Sequence, residues 1–342
     1  MYKLKQQPSD FIVKEISNLK IKNSGRYIYF LLHKTNRNTL DVVKELAKRL
    51  RLKEKQIGFA GTKDKQAVTE QVISVLGVSQ EKVLSVKIEN VELSFLGHND
   101  KPISLGDLDG NEFEIIIRDL DKYTIKKSTF LENYFDEQRF SKNNKRIGKH
   151  LLKKEFKEAI KLIADQKLNN YLLKYNHDFI GALRLLPSRL LRLYLNAYQS
   201  YLWNETLAEF LKDNGTIERE VEYSLGKLVF VKDEIKNLQI PLIGYDEDLI
   251  IDQKMKSIIS KIMEKEKISH ADFIIRQIPE LSLEGEFRSA FIEIKYLKVG
   301  KEEKDELNKG KKKLFISFSL GKGSYATMVV KKIINIHQDQ KI

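Results

Sequence analysis

The chain of 342 residues carries 61 Lys plus Arg against 48 Asp plus Glu, a formal charge of +13, with 42% hydrophobic residues, 17 Phe and 14 Tyr. That is enough for a sizeable core and two domains, and it excludes a disordered chain. No apolar run approaches the roughly 20 residues of a membrane span, and the absence of Cys excludes disulfides, thiolate catalysis and cysteine-bound zinc. The positive excess therefore points to a polyanionic partner, nucleic acid before membrane. Met1-Tyr2-Lys3-Leu4-Lys5 leads into no apolar signal core, so the expected location is cytoplasmic.

In chain order, Pro8 favours an extended neighbour, and Phe11-Ile12-Val13 continues as a strand. Arg26 to Leu32 reads as a second strand. Asn38 or Thr39 caps a helix whose Leu40, Val43, Leu46, Ala47 and Leu50 fall on one face. Arg37, Lys48, Arg49 and Arg51 form its solvated side. Ile57 to Ala60 is a short apolar strand, Gly61 permits a turn, and Asp64 follows between Lys63 and Lys65. Val72 to Val75 is again β-prone. Flanking cations keep a carboxylate ionised, and an ionised, positioned carboxylate can serve as nucleophile or base.

Gly106 to Asn111 has the look of a calcium loop, but counted from Asp107 the sixth and twelfth positions hold Glu112 and Arg118, which rejects it. The six histidines are scattered singly, so no metal is expected. In the strand from Asn111 to Arg118, alternation puts Asn111, Phe113, Ile115 and Ile117 on one face. The isoleucines belong in a core, leaving Asn111 and Phe113 where that face reaches a cleft. There an amide can read a base edge while a ring stacks on a base.

From Ile147 the pattern turns helical and Lys-rich. Leu151, Leu152, Phe156, Ala159, Ile160 and Ile163 mark one amphipathic helix, and Pro187 opens another through Tyr201-Leu202. Glu218 to Val231 reads as strands, Pro241 to Gly244 as a turn and Met255 to Lys267 as a helix. Phe287 to Ile294 reads as one strand. Leu314, Ile316, Phe318 and Leu320 alternate along another, before Gly321 to Thr327 opens a final helix. The order β, then α, then β predicts an α+β chain: a sheet domain from both chain ends, interrupted by a mainly helical insertion.

Several stretches resemble one family. Gly61 to Gln71 is similar to Gly-x-Lys-Asp-Lys-x-Ala-Val-Thr-x-Gln, a signature of the TruD family of tRNA pseudouridine synthases. Lys5 to Glu15 resembles its Lys-x-x-Pro-x-Asp-Phe-x-Val-x-Glu, and Gly110-Asn111-Glu112-Phe113 its Gly-Asn-x-Phe. Asn133 to Ser141 resembles Asn-Tyr-Phe-Gly-x-Gln-Arg-Phe-Gly, with Asp136 and Ser141 replacing glycines. Ala197-Tyr198-Gln199-Ser200, the Gly285 and Arg288 pair, and Gly323 to Thr327 also match, with Gly321 replacing a Pro. The resemblance implies a pseudouridine-synthase-like mixed or antiparallel sheet domain over residues 1–136 and 286–342, and an insertion domain over 137–285.

It further implies an isomerase that converts uridine to pseudouridine in tRNA, most directly uridine 13 of the D arm, without a cofactor. Asp64 would be the catalytic residue and Lys5 its ion-pair partner. Asn111 and Phe113 would line the uridine pocket, with Glu15, Lys63, Lys65, Arg139 and Tyr325 in the substrate-binding set. Whether Asp64 attacks ring or sugar or abstracts a sugar proton stays open. So do two alternatives: a tRNA-binding or folding module without chemistry, and the same chemistry on another RNA uridine. Oligomeric state is not readable; a monomer is compatible with the sequence.

Overall fold

A computed structural model describes residues 2–141, 143–250 and 252–337. The chain divides into two compact units, Met1–Thr129 with Glu293–Ile342, and Phe130–Ile292. The changeovers lie outside the expected 136/137 and 285/286. The reason is local: residues 130–132 and 291–293 pair as strands, and the Phe130 and Phe291 rings meet edge-to-face at 5.6 Å.

The first unit begins with β1 (Phe11–Ile16), β2 (Tyr27–Thr35), α1 (Thr39–Leu50), β3 (Ile57–Phe59) and β4 (Val68–Leu76). It continues with α2 (Gln80–Leu84), β5 (Val91–Asn99), β6 (Gly110–Leu120) and β7 (Tyr123–Ile125). Asn38 caps α1 by accepting from the Leu40 N–H, and Arg51 ends it in the left-handed region at φ 59°. The helix lays Val42, Val43, Leu46, Ala47 and Leu50 on the inward row of β2, Ile28, Phe30 and Leu32, with Ile73 and Val75 of β4. Leu40, expected on that face, is only half-buried. Removing Leu46, which is 1% exposed, would cost about 2–5 kcal/mol, the range for a buried Leu→Ala.

The second unit runs β8 (Phe130–Glu132), α3 (Glu137–Phe140), α4 (Asn144–Leu152), α5 (Phe156–Ile163), α6 (Gln166–Lys174), α7 (Phe179–Arg184) and α8 (Ser188–Asn214). Then follow β9 (Ile217–Tyr223), β10 (Gly226–Val231), β11 (Gln239–Leu242), α9 (Gln253–Glu266), β12 (Glu286–Ser289) and β13 (Phe291–Glu293). Three expectations are corrected here. The amphipathic stretch from Leu151 to Ile163 is two helices, because Lys154 adopts φ 61° and binds the Asp272 carbonyl at 2.8 Å. Pro241 lies within β11, opposite Phe287 of β12, where a two-stranded ribbon leaves alternate N–H groups facing outward and tolerates the missing donor. The expected strand through Phe287 and Ile294 is split between β12 and β13, which pair with different partners. Long α8 is the unit's axis: Leu195, Tyr198, Leu202 and Trp203 are buried, and Trp203 donates to the Ile240 carbonyl at 3.0 Å.

The chain then returns to the first unit through β14 (Lys295–Lys304), β15 (Lys312–Gly321), α10 (Ala326–Ile333) and β16 (Ile334–Ile336). The principal sheet has the order β14–β15–β6–β1–β4–β2–β5, with β3 also on β4. Only β1 and β4 run parallel; the other pairs are antiparallel. Leu314, Ile316, Phe318 and Leu320 of β15 are all buried, as their alternation requires.

Candidate active site

The parallel pairing of β1 and β4 sets Ile12 against Val68 and Val13 against Thr69. Segments just upstream of two parallel strands meet at one end of the sheet, and here those segments carry Lys5 and Asp64. Lys5 turns through φ 56°, and its Nζ donates to Asp64 Oδ2 at 2.9 Å while lying 4.1 Å from the centre of the Phe11 ring. Their side chains are 19% and 24% exposed, so the pair is shielded but reachable. The N-terminal segment is pinned from behind. Asp10 accepts from the Gln7 N–H at 2.9 Å and from Arg118 Nε at 2.8 Å. The buried Arg118 guanidinium also holds Asp305 and Glu306 at 2.9 and 3.0 Å.

The loop between β3 and β4 is tied on every side. Lys63 N–H donates to Thr39 Oγ1 at 3.0 Å, Thr39 Oγ1 donates to Gln71 Oε1 at 3.1 Å, and Gln71 Nε2 donates to the Gly61 carbonyl at 2.9 Å. Gln66 Nε2 reaches the Lys5 carbonyl at 2.6 Å. Lys34, at the end of β2 and fully buried, donates to the carbonyls of Asp64 at 2.9 Å and Arg37 at 2.8 Å. Burial pushes its pKa down to about 8; Asp64 opposes the shift and Lys63 adds to it. Gly58 is required by space, since a Cβ there would lie 2.2 Å from the Ile103 carbonyl oxygen.

Strand register builds the floor beside this loop. Val13, Phe113 and Phe318 form one cross-strand row, and Glu15, Asn111 and Leu320 form the next. Phe113 is 6% exposed, edge-on to Phe11 at 6.1 Å and tilted against Phe318 at 5.5 Å. Asn111 Oδ1 in that row, and Thr69 Oγ1 in register with Val13, are buried and have no hydrogen-bond partner among the described residues. Buried polar atoms are nearly always satisfied, so these two mark a place where a ligand's polar groups can sit. Gly321 pairs with Gly110, itself opposite Ile16, which sets the start of α10 and its N-cap residue, Tyr325, beyond the row of Glu15, Asn111 and Leu320, at the end of the sheet away from Phe11.

Lys63 and Glu15 are joined to each other: Nζ lies 2.7 Å from Oε2, with the side chains 6% and 1% exposed, and Glu15 Oε1 accepts from the Val72 N–H at 3.3 Å. Lys63 and Glu15, both expected in the substrate-binding set, thus engage each other in this structure. Lys65 is exposed. Arg139 belongs to the second unit, where Nε donates to Ser200 Oγ at 3.2 Å. Of the two replaced glycines, Ser141 does occupy positive φ, at 48°, while Asp136 is extended at −84°. Among the described residues, no group of three or more His, Asp or Glu is placed to hold a metal. Lys34 and Thr69 are the residues that sequence reasoning passed over as site groups. The signal for Lys34 was its register, since 34 continues the inward series 28, 30, 32.

Comparisons with known proteins show the family. A family model described as tRNA pseudouridine synthase D (TruD) matches residues 2–170, 162–236 and 229–333. The tRNA pseudouridine synthase D of Aquifex aeolicus is 33% identical, over 97% of this chain and 97% of that protein. A protein named tRNA pseudouridine synthase D 2 in Methanocaldococcus jannaschii is 34% identical, over 96% and 91% of the two chains. A crystal structure from Methanosarcina mazei, bearing the name tRNA pseudouridine synthase D, superposes with a TM-score of 0.69 at 26% identity, over 97% of this chain and 93% of that one. With its family model matched along nearly the whole length, the chain belongs to the TruD family.

Proposed function

We propose that the protein isomerises uridine to pseudouridine in tRNA, at uridine 13, with Asp64 as the catalytic residue. The observation that carries this reading is the Lys5–Asp64 ion pair at 2.9 Å, set beside an aromatic floor with two unpartnered buried polar atoms. The reaction breaks N1–C1′, forms C5–C1′, releases the C5 proton and places a proton on N1, so it consumes no cofactor. A base inside a stack is out of reach, and flipping it costs a few kcal/mol, offset by phosphate contacts along a basic surface.

Each residue then has a defined task. Lys5 keeps Asp64 anionic and fixes one carboxylate oxygen, whether Asp64 attacks or abstracts a proton. Asn111 Oδ1 accepts from the uracil N3–H, which suits an amide oxygen lacking a partner. Phe113 supports the base from below, Tyr325 borders the pocket, and Lys65 and Arg139 contact the RNA backbone. The Glu15–Lys63 pair stiffens the wall. Tethers from Lys34, Thr39 and Gln71 hold the loop so that Asp64 meets the nucleoside without reorganising. The first unit is the catalytic body and the second an RNA-contacting insertion, in a protein working in the cytoplasm.

The test is to incubate purified protein with unmodified tRNA and map pseudouridine along it. Pseudouridine at position 13 is expected. Conversion only elsewhere would refute the position, and tRNA binding without any product would refute the chemistry.

A further inference from the structure

The second unit contains a polar pocket of about 340 Å³, within the size range of small-ligand sites, whose lining includes Phe135, Arg139, Gln199, Ser200, Phe287 and Arg288. Its walls are assembled for more than packing. Arg288 lies 4.2 Å from the centre of the Phe135 ring and is locked by bonds to Asn133 O at 3.0 Å and Asn133 Oδ1 at 2.7 Å. Arg139 stands 5.8 Å from the same ring and gives its Nε to Ser200. Its terminal nitrogens have no partner among the described residues. Gln199 donates its amide to the carbonyls of Ile243 and Glu284, at 3.0 and 3.3 Å, which leaves Oε1 as an acceptor on the wall. Phe287, read in the sequence as a strand residue, is 50% exposed.

Two guanidiniums, a fixed acceptor and an open ring together describe one kind of guest. A phosphate suits planar donors, a base edge with an N–H suits Gln199, and an exposed ring offers a stacking face. Glu286 on the rim disfavours a bare polyphosphate, because its carboxylate repels added negative charge.

We propose that this pocket binds one nucleotide of the RNA other than the uridine handled by Asp64: phosphate on Arg139 and Arg288, base on Phe287, base edge on Gln199. The proposal rests on the RNA reading above. It makes the second unit a holder of a specific nucleotide rather than a diffuse basic surface.

Equilibrium binding and steady-state turnover on unmodified tRNA test it, using wild type, Phe287→Ala, Phe287→Tyr, Arg139→Gln and Asp64→Asn. Stacking of one base corresponds to roughly a tenfold change in affinity. Phe287→Ala should therefore raise Kd and KM about tenfold with kcat within about twofold, and Phe287→Tyr should restore both. Arg139→Gln should weaken binding and lower the salt dependence by about one phosphate's share. Asp64→Asn should bind as wild type does. Wild-type affinity in both Phe287→Ala and Arg139→Gln overturns the pocket while sparing the RNA reading. If wild type binds no tRNA, the RNA reading falls and the pocket falls with it. Tight competition by uridine monophosphate alone would identify a free nucleotide as the guest and overturn the assignment to RNA.

Discussion

Lys34 holds a charge where the pattern of β2 calls for an aliphatic side chain, and that position is costly. Its pKa of about 8 lies below the ordinary 10.5 because burial penalises the ammonium. Below pH 8 both folded and unfolded chains are protonated there, and the destabilisation, on the order of 3 kcal/mol, is fully present. Between 8 and 10.5 the unfolded chain binds more protons, so stability rises with pH. Denaturant unfolding should show wild type gaining roughly 2 kcal/mol relative to Lys34→Met between pH 7 and 9.5; a flat difference would contradict the shift. Lys5 poses the complementary case. Lys5→Met should lower kcat on the order of 100-fold and leave KM within a few-fold, since it removes a charge beside the proposed catalytic carboxylate. Unchanged turnover would strip Lys5 of its role. The two lysines also differ in legibility. Lys34 could have been found by counting along β2, whereas the 59-residue separation of Lys5 and Asp64 could be bridged only by resemblance.

At the scale of elements, the site depends on where strands end. Thr39, the first residue of α1, ties helix, loop and β4 through one hydroxyl. Thr39→Val leaves the Lys63 N–H and the Gln71 carbonyl oxygen without that partner, at about 1–3 kcal/mol per unsatisfied group. Amide exchange of residues 61–67 should quicken, and kcat should fall without a comparable change in tRNA affinity. Protection equal to wild type would mean that the hydroxyl does not hold the loop. Period-two alternation placed Asn111, Phe113, Ile115 and Ile117 on one face, because side-chain direction in a strand is local. The break between α4 and α5 was hidden, because Lys154 takes positive φ without glycine and is held by Asp272, 118 residues away. Pro241 misled for the opposite reason: a strong local signal for a turn is overridden by pairing with a distant strand. The exposure of Phe287 is likewise set by tertiary neighbours.

For the whole molecule, β-α-β order was enough to foresee a sheet unit interrupted by a helical one, since it depends only on the sequence of periodicities. Boundaries were less accessible because β8 and β13 pair across more than 150 residues. The cluster around Arg118 joins it to Asp10 and Asp305, 108 and 187 residues away in the first unit. Burial alone would raise Asp305, but N–H groups of Asp119 and Leu307, the Asn308 amide and Arg118 hold it at about 2. A carboxylate depressed in the folded state contributes stability above its ordinary pKa near 4, and that contribution disappears as pH falls towards 2. Asp305→Asn should thus lose roughly 2 kcal/mol of stability at pH 7 and show a shallower loss between pH 4 and 2, read by denaturant unfolding. An acid profile parallel to wild type would contradict the assigned shift.

Asp64 is the proposed catalytic residue, and single-turnover conversion of unmodified tRNA by wild type and Asp64→Asn measures its part most directly. The Asn variant keeps the size of the side chain and loses the charge paired with Lys5. It should bind tRNA with wild-type affinity and form no pseudouridine on the timescale of full wild-type conversion. Pseudouridine formed by Asp64→Asn at the wild-type rate would contradict the account.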